Sequence, residues 1–425
     1  MPRRWFWLLL PLLTAFPMCP HPVPGGIVSP YDFSLASDMA WSLVVMNDHV
    51  QFLPVNGNRA PAFTVPWDYT WDCGLGSVGD PQVALDPVDG RWWVAETVGG
   101  PVGVGELFEC LSVSATTDPT GVYTSVVLPN VADGQKLVVT ADKATLTGLY
   151  TDGQYHTTAV SKDLAEEQIV SYPPGVWQMP AMNVANVSDP TERAFFGLTD
   201  PGALVVFGPS PLQANAAELV LLTGVPPTLQ EQVADVPLGV SLATPPSAVL
   251  HGIEPNGTAV IFPGGDAAGV VTLTSLWFTH IDGHDTLNVF QVSGLNPLNP
   301  YLAQHMKIAP PAGLGGALGC QSIGVLPDDQ RPPDNSVVVG YAVVSPSAWL
   351  SAMTQQRHRG DPWNTLRPPV MRGQGYQGAW PDPPTGQRLD YCSAAMAPDG
   401  TVLTVQPYHT GSADGVQVMV SGVTP

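Results

Sequence analysis

The sequence predicts an all-β fold: a single six-bladed β-propeller with few short helices, its last blade closed by an N-terminal strand. Three observations carry this. First, a strand–turn–strand unit recurs roughly every sixty residues, the spacing expected of propeller blades. It is clearest near the two ends of the chain. One copy runs from Gly79-Asp80-Pro81 through Asp86-Pro87, a polar turn, and Arg91 to Glu96. The other runs from Asp390-Tyr391-Cys392 through Asp399-Gly400 and Thr401 to Val405. Second, apolar residues make up 44% and charged residues 12%, with 46 Pro and 43 Gly. That mixture describes many short elements joined by tight turns, not long amphipathic helices. Third, the last unit is one strand short, while Trp41 to Val45 and His49 to Leu53 are apolar, β-prone and unassigned. Part of 38–57 is therefore expected to complete the sixth blade and hide two open sheet edges.

Taken in order, the first unit holds strands near 81–86, 91–97, 107–114 and 122–128. The second covers 135–172, with its fourth strand indistinct. The third begins at Met179 and continues through 193–198, 203–207 and 218–222. The fourth begins near Ser247, followed by 258–262, 273–281 and 286–293. The fifth begins at Gln321, with 336–345, 349–358 and 365–372. The sixth begins at Tyr391, with 401–407 and 415–421. Helical signals are confined to 163–169 and 228–234, with 347–356 as a competing helix behind Ser345-Pro346. The Pro-rich stretches at 174–180, 309–313 and 381–384 read as connectors between blades.

Residues 1–19 read as a signal peptide, and 20–425 as one domain. Arg3 and Arg4 precede the apolar run Trp5 to Leu13, which is too short to span a bilayer. Cys19 stands where a lipid-modified cysteine would sit. It follows Met18 instead of a small residue, so ordinary secretion is the reading. No later segment is long and apolar enough to span a membrane. The net charge of −21 repels phosphate backbones, which argues against nucleic acid. No cofactor is called for. Calcium is admissible on charge alone, without a motif.

Beyond the signal, Cys73, Cys110, Cys320 and Cys392 allow three disulfide pairings. The absence of CxxC spacing speaks against zinc. Cys320 and Cys392 both fall where an innermost strand begins, in successive blades, and Cys73 and Cys110 flank strands of one blade. The register thus favours Cys73–Cys110 and Cys320–Cys392.

Several segments resemble a family of secreted bacterial propellers related in shape to sialidase-like six-bladed folds. The matches are Gly79-Asp80-Pro81, Asp89-Gly90-Arg91-Trp92, Glu109-Cys110 and Ser114 to Gly121 in one unit. Gly340 to Ser345 with Arg359-Gly360-Asp361-Pro362 match in another, and Asp390 to Met396 in the last. Between 135 and 310 the resemblance is weak, and Arg388-Leu389 replaces a Trp-Gly pair expected before Asp390. The family has no settled activity, so the resemblance bears on fold more than on function.

Innermost strands bring their first residues around one mouth of the central channel, where propeller ligands bind. The residues expected there are Asp80, Gln178, Gln321, Asp390 and Tyr391. Two carboxylates, two amides and a phenol suit a cation, a sugar or a nucleophile–water pair; the competing role is hydrogen bonding that fixes strand starts. Ser114 to Gly121 resembles an Asp-box, a structural turn. His280-Ile281-Asp282-Gly283-His284-Asp285 is the one dense His/Asp cluster, read as a hairpin turn. A sialidase would need three arginines, a Tyr–Glu pair and an acid. Arg59, Arg357, Arg359 and Tyr391 are the available candidates. The functional reading is a secreted or surface binding or scaffold module for an unidentified carbohydrate or protein, without catalytic residues. The alternative is a sialidase-like glycoside hydrolase or lyase.

Overall fold

Strands joined by short turns pair antiparallel with their sequence neighbours, because loop-closure entropy is least there. The computed structural model describes residues 21–22, 31–38, 40–46, 49–54, 63–66, 73, 77–86, 88–99, 107–129, 131–174, 176–183, 200, 202–242, 247–253, 259–265, 267–272, 275–282, 286–295, 298–310, 317–325, 336–345, 348–373, 389–396, 401–409 and 416–423. Strand β1 (His21–Pro22) precedes blade 1, which is β2 (Tyr31–Ser37), β3 (Trp41–Met46), β4 (His49–Pro54) and β5 (Phe63–Pro66). Blade 2 is β6 (Ser77–Leu85), β7 (Trp92–Gly99), β8 (Leu107–Ser114) and β9 (Tyr123–Pro129). Blade 3 is β10 (Val131–Val139), β11 (Lys143–Tyr150), β12 (Tyr155–Ser161) and β13 (Glu167–Ser171). Blade 4 is β14 (Met179–Asn183), β15 (Leu204–Pro209), β16 (Ala216–Thr223) and β17 (Gln230–Pro237). A separate hairpin follows, β18 (Ser247–Ile253) and β19 (Ala259–Gly265). Blade 5 is β20 (Gly269–Val271), β21 (Ser275–Asp282), β22 (Thr286–Ser293) and β23 (Tyr301–Ile308). Blade 6 is β24 (Ala317–Val325), β25 (Val337–Ser345), β26 (Ala348–Arg357) and β27 (Val370–Gly373). After β28 (Leu389–Tyr391), blade 7 is β29 (Ser393–Met396), β30 (Val402–His409) and β31 (Val416–Val423).

The propeller therefore has seven blades, not six. Segment 38–57 does not complete the last blade. Its two strands pair with each other as β3 and β4, flanked by β2 and β5, and make a blade of their own. The last blade is closed instead by β1, antiparallel to β31 with His21 opposite Val418. An N-terminal strand does close the ring, but a different one. The expected helices are absent among the described residues. Segment 348–356 lies in β26, whose register with β25 begins at Ser345 opposite Ala348, so these residues form a strand and not a helix. Segment 228–234 lies mostly in β17, an edge strand paired along its length with β16. Within 163–169, Asp163 Oδ1 accepts from Ala165 N (3.2 Å) in a turn leading into β13. Ser247, expected to begin an inner strand, lies in the separate hairpin, and 193–198 lies outside the described residues.

Each blade is sandwiched between two others, so its second and third strands are buried on both faces. Strand β7 is buried along nearly its whole length, and Trp92 and Trp93 point to opposite neighbours, both fully buried. Trp92 joins Val45, Phe52 and Val83 in the seam between blades 1 and 2. Trp93 joins Leu111, Leu137 and Leu146 between blades 2 and 3. Equivalent cores fill the next seams: Val138 with Val206 between blades 3 and 4, Phe207 with Phe278 and Phe290 between 4 and 5, Trp277 with Tyr341 between 5 and 6, and Val338 with Val402 between 6 and 7. Full burial of one such aliphatic or phenylalanine side chain contributes about 1.5–3 kcal/mol. The fourth strands β9 and β13 face solvent and alternate. Polar pairs also tie seams: the Lys162 ammonium of blade 3 meets the fully buried Asp86 carboxylate of blade 2.

Candidate functional site: the central channel

The innermost strands of the seven blades line a central cavity with about 540 Å3 of empty space, the adjoining open solvent included. Every blade contributes to its wall: Ser34, Gln82, Lys136, Pro180, Ala268, Ser322 and Ser393 are one residue from each. Inner strands run parallel where adjacent blades touch, β14 beside β20 and β28 beside β2. The wall is mostly Ser, Ala, Gly, Pro and aliphatic residues, and among the described residues Lys136 is its one ionisable side chain.

Three inner strands carry a bulge just ahead of their wall residues. It falls between Gly79 and Gln82 in β6, Asp133 and Lys136 in β10, and Gly319 and Ser322 in β24. A bulge sets two residues against one on the partner strand and re-aims the side chains that follow. Asp80 and Cys320 sit in these bulges with φ of +54° and +51°, a left-handed conformation that costs a non-glycine residue about 1–2 kcal/mol.

The five residues expected at the mouth stand just before the wall residues in sequence. Asp80 lies on β6 two residues before Gln82, and Gln178 two before Pro180. Gln321 precedes Ser322, and Asp390-Tyr391 on β28 precede Cys392, which also lines the channel. Gln178 is fully buried and its Nε2 donates to Glu218 Oε1 (3.4 Å) within blade 4. Gln321 is fully buried with neither amide atom paired. Asp390 lies on β28, which pairs with β2 of blade 1, and Ser34 Oγ of β2 accepts from Val83 N of blade 2 (3.1 Å). The wall residues Gln82, Lys136, Ser34, Ser322 and Ser393 were missed as candidates. The available signal was polarity inside strands that are otherwise apolar.

Beside the channel lies a buried acidic network. Gln135 Nε2 donates to Thr97 Oγ1 (2.7 Å), the Asp80 carbonyl (3.0 Å) and Glu109 Oε1 (3.2 Å). Burial, then the charges of Asp80 and Glu96, push the Glu109 carboxyl well above the usual carboxylate range. Glu109 is fully buried, and its Oε2 accepts from Thr97 Oγ1 (3.4 Å).

Both disulfides join the expected partners. Cys320–Cys392 crosses from blade 6 to the start of blade 7 (Cα–Cα 5.0 Å), and Cys73–Cys110 ties the segment before β6 to β8 (Cα–Cα 6.0 Å). They accord with an oxidising compartment. No helix among the described residues is long and apolar enough to cross a membrane.

The sialidase arrangement is not assembled from Arg357 and Arg359. Arg357 ends β26, two strands out from the channel, opposite Val337, which in turn faces Val325 at the far end of β24 from Cys320. It is fully buried over the Trp363 ring (5.6 Å). Arg359 lies in the turn beyond, its backbone N–H donating to Ser336 Oγ (2.8 Å). Arg59 lies outside the described residues. His280 is buried and stacked on Trp177 (5.9 Å), and β21 turns into β22 with Asp282 opposite Thr286. Residues 283–285 lie outside the described residues. The Asp-box segment joins β8 to β9: Ser114 Oγ accepts from Trp92 N (2.8 Å), and Asp118 Oδ1 accepts from Thr120 N (2.9 Å).

No known protein family matches the chain, and no curated protein matches it. Solved structures resemble it in fold. A hypothetical selenium-binding protein from Sulfolobus tokodaii is 13% identical with TM-score 0.44, covering 83% of this chain and 80% of its own. A Synechocystis apocarotenoid oxygenase mutant is 9% identical with TM-score 0.44, covering 81% and 72%. A subtype N11 neuraminidase-like protein of a flat-faced bat isolate is 10% identical with TM-score 0.33, covering 83% and 73%. At these values the likenesses carry no argument about activity. The chain is a β-propeller of seven blades.

Proposed function

We propose that this protein is a secreted or surface-displayed binding module whose central channel receives part of a carbohydrate or protein ligand. Residues 1–19 act as the export signal and 20–425 as one propeller domain. The observation that supports this reading is the channel wall, built from one residue or more of all seven blades. Its side chains are small, with scattered hydrogen-bonding groups, a lining suited to orienting a ligand. No second reading gains support, since Arg357 and Arg359 stand away from the channel. The test is an array of glycans and peptides probed with the full chain and with Ser393→Trp, which fills the channel at β29. A set of ligands bound by the parent and lost in the folded variant is the expected result. Identical binding by both proteins refutes a channel site, and turnover of a glycoside substrate refutes the non-catalytic reading.

A further inference from the structure

We propose that the channel, in the blade 2–3 sector, takes a small oxyanion, a carboxylate or phosphate group carried by the ligand, held by Lys136 and Gln82. The inference rests on the channel reading above and adds the chemistry of what enters it. Two independent features point the same way. The first is charge. Only 15 of the 425 residues are basic and the chain carries −21, yet the one ionisable side chain among the described wall residues is the cation Lys136. Lys136 has an interaction of its own, and an ammonium offers three donors.

The second feature is an orphaned donor. Gln82 lines the channel with only 5% of its surface exposed, and its Nε2 has no hydrogen-bond partner. A buried amide donor left unpaired costs about 1–3 kcal/mol, so an acceptor that meets it recovers that loss on binding. The two residues flank one seam. Gln82 lies on β6 two residues after Asp80, and Lys136 on β10 one residue after Gln135, whose amide donates to the Asp80 carbonyl. Both follow a bulge, so neither position is set by ordinary strand alternation. An ammonium and an amide N–H are donors, and an oxyanion supplies acceptors to both with charge assistance. The described wall carries no aromatic side chain, so stacking on a sugar or base face is not what it offers.

The experiment is calorimetric titration of the full-length protein with inorganic phosphate, with glucuronate, and with glucose as the uncharged counterpart. The parent, Lys136→Met, Lys136→Arg, Gln82→Leu and Ser393→Trp are compared, with near-ultraviolet dichroism as the check on folding. Binding of phosphate or glucuronate at least tenfold tighter than glucose, weakened at least tenfold by Lys136→Met and by Gln82→Leu and restored by Lys136→Arg, supports the proposal. Which of the two anions binds tells whether a phosphate or a carboxylate is the source. Anion affinity unchanged in a folded Lys136→Met protein overturns it, as does glucose binding as well as glucuronate. Ligand binding lost in Ser393→Trp but indifferent to Lys136 refutes the anion and leaves the channel reading intact. Indifference to both substitutions refutes both.

Discussion

Replacing Glu109 with glutamine should raise stability at neutral and alkaline pH and leave it nearly unchanged in acid. In the folded chain the Glu109 carboxyl is fully buried, and burial together with Asp80 and Glu96 raises its pKa well above the usual 4.5. The unfolded chain has no such environment, so between these two values the folded protein holds one proton more. Stability then falls with rising pH, by about 1.4 kcal/mol per pH unit for one proton. It is highest below the unfolded value, and the full loss is reached once the pH passes the raised folded value. The introduced glutamine would not titrate. It would keep an oxygen to accept from Gln135 Nε2, which is 3.2 Å from Glu109 Oε1, and an amide to meet Thr97 Oγ1. Urea unfolding of both proteins from about pH 4 to about pH 9, disulfides intact, should show curves that coincide in acid and diverge with that slope. Carboxylates held low, such as Asp361 bonded to Arg367, contribute the opposite slope to both proteins and cancel in the difference. Parallel curves at every pH, or a variant less stable than the parent in alkali, would show that Glu109 is not a buried acid under charge pressure.

Three further outcomes follow from the seams and the closure. Cys392→Ser removes a crosslink spanning 72 residues, and restriction of the unfolded chain alone predicts a loss of about 4 kcal/mol, read from unfolding curves beside non-reducing peptide maps. Maps that link Cys320 to Cys73, or an unchanged midpoint, contradict this. Lys162→Met leaves the Asp86 carboxylate buried without its cation and should cost about 3 kcal/mol in thermal or urea unfolding. A neutral effect would show that the pair is solvated. A chain beginning at Ser29 loses only β1, baring the edge of β31, and should stay folded but self-associate in sedimentation. One beginning at Ala60 loses β2, β3 and β4 and should not fold. A folded monomer from the shorter chain would disprove the seven-blade ring.

Local chemistry made the hairpins and turns legible from sequence. Asp86 N donates to the Arg91 carbonyl (2.8 Å), Asp86 Oδ1 accepts from Val88 N (2.9 Å), and Gly90 supplies φ of +71°, all within the Asp-Pro-x-Asp-Gly-Arg stretch. Both disulfide pairings followed because the hairpin pattern locates the blades, which puts Cys320 and Cys392 in successive blades and Cys73 and Cys110 beside strands of one blade. Non-local packing decided the rest. Strands β3 and β4 look the same in sequence whether they close a blade or build one. The choice lies in Val45, Phe52 and Trp92 meeting across a seam. His21–Pro22 is too short to carry a periodic signal, and the partner that makes it a strand lies near the other end of the chain. The channel wall showed in the sequence only as polar residues inside apolar strands, for the same reason. Side-chain direction there depends on bulges at Asp80 and Cys320 and on seven strands converging, and neither is encoded in the period-two alternation of any one strand.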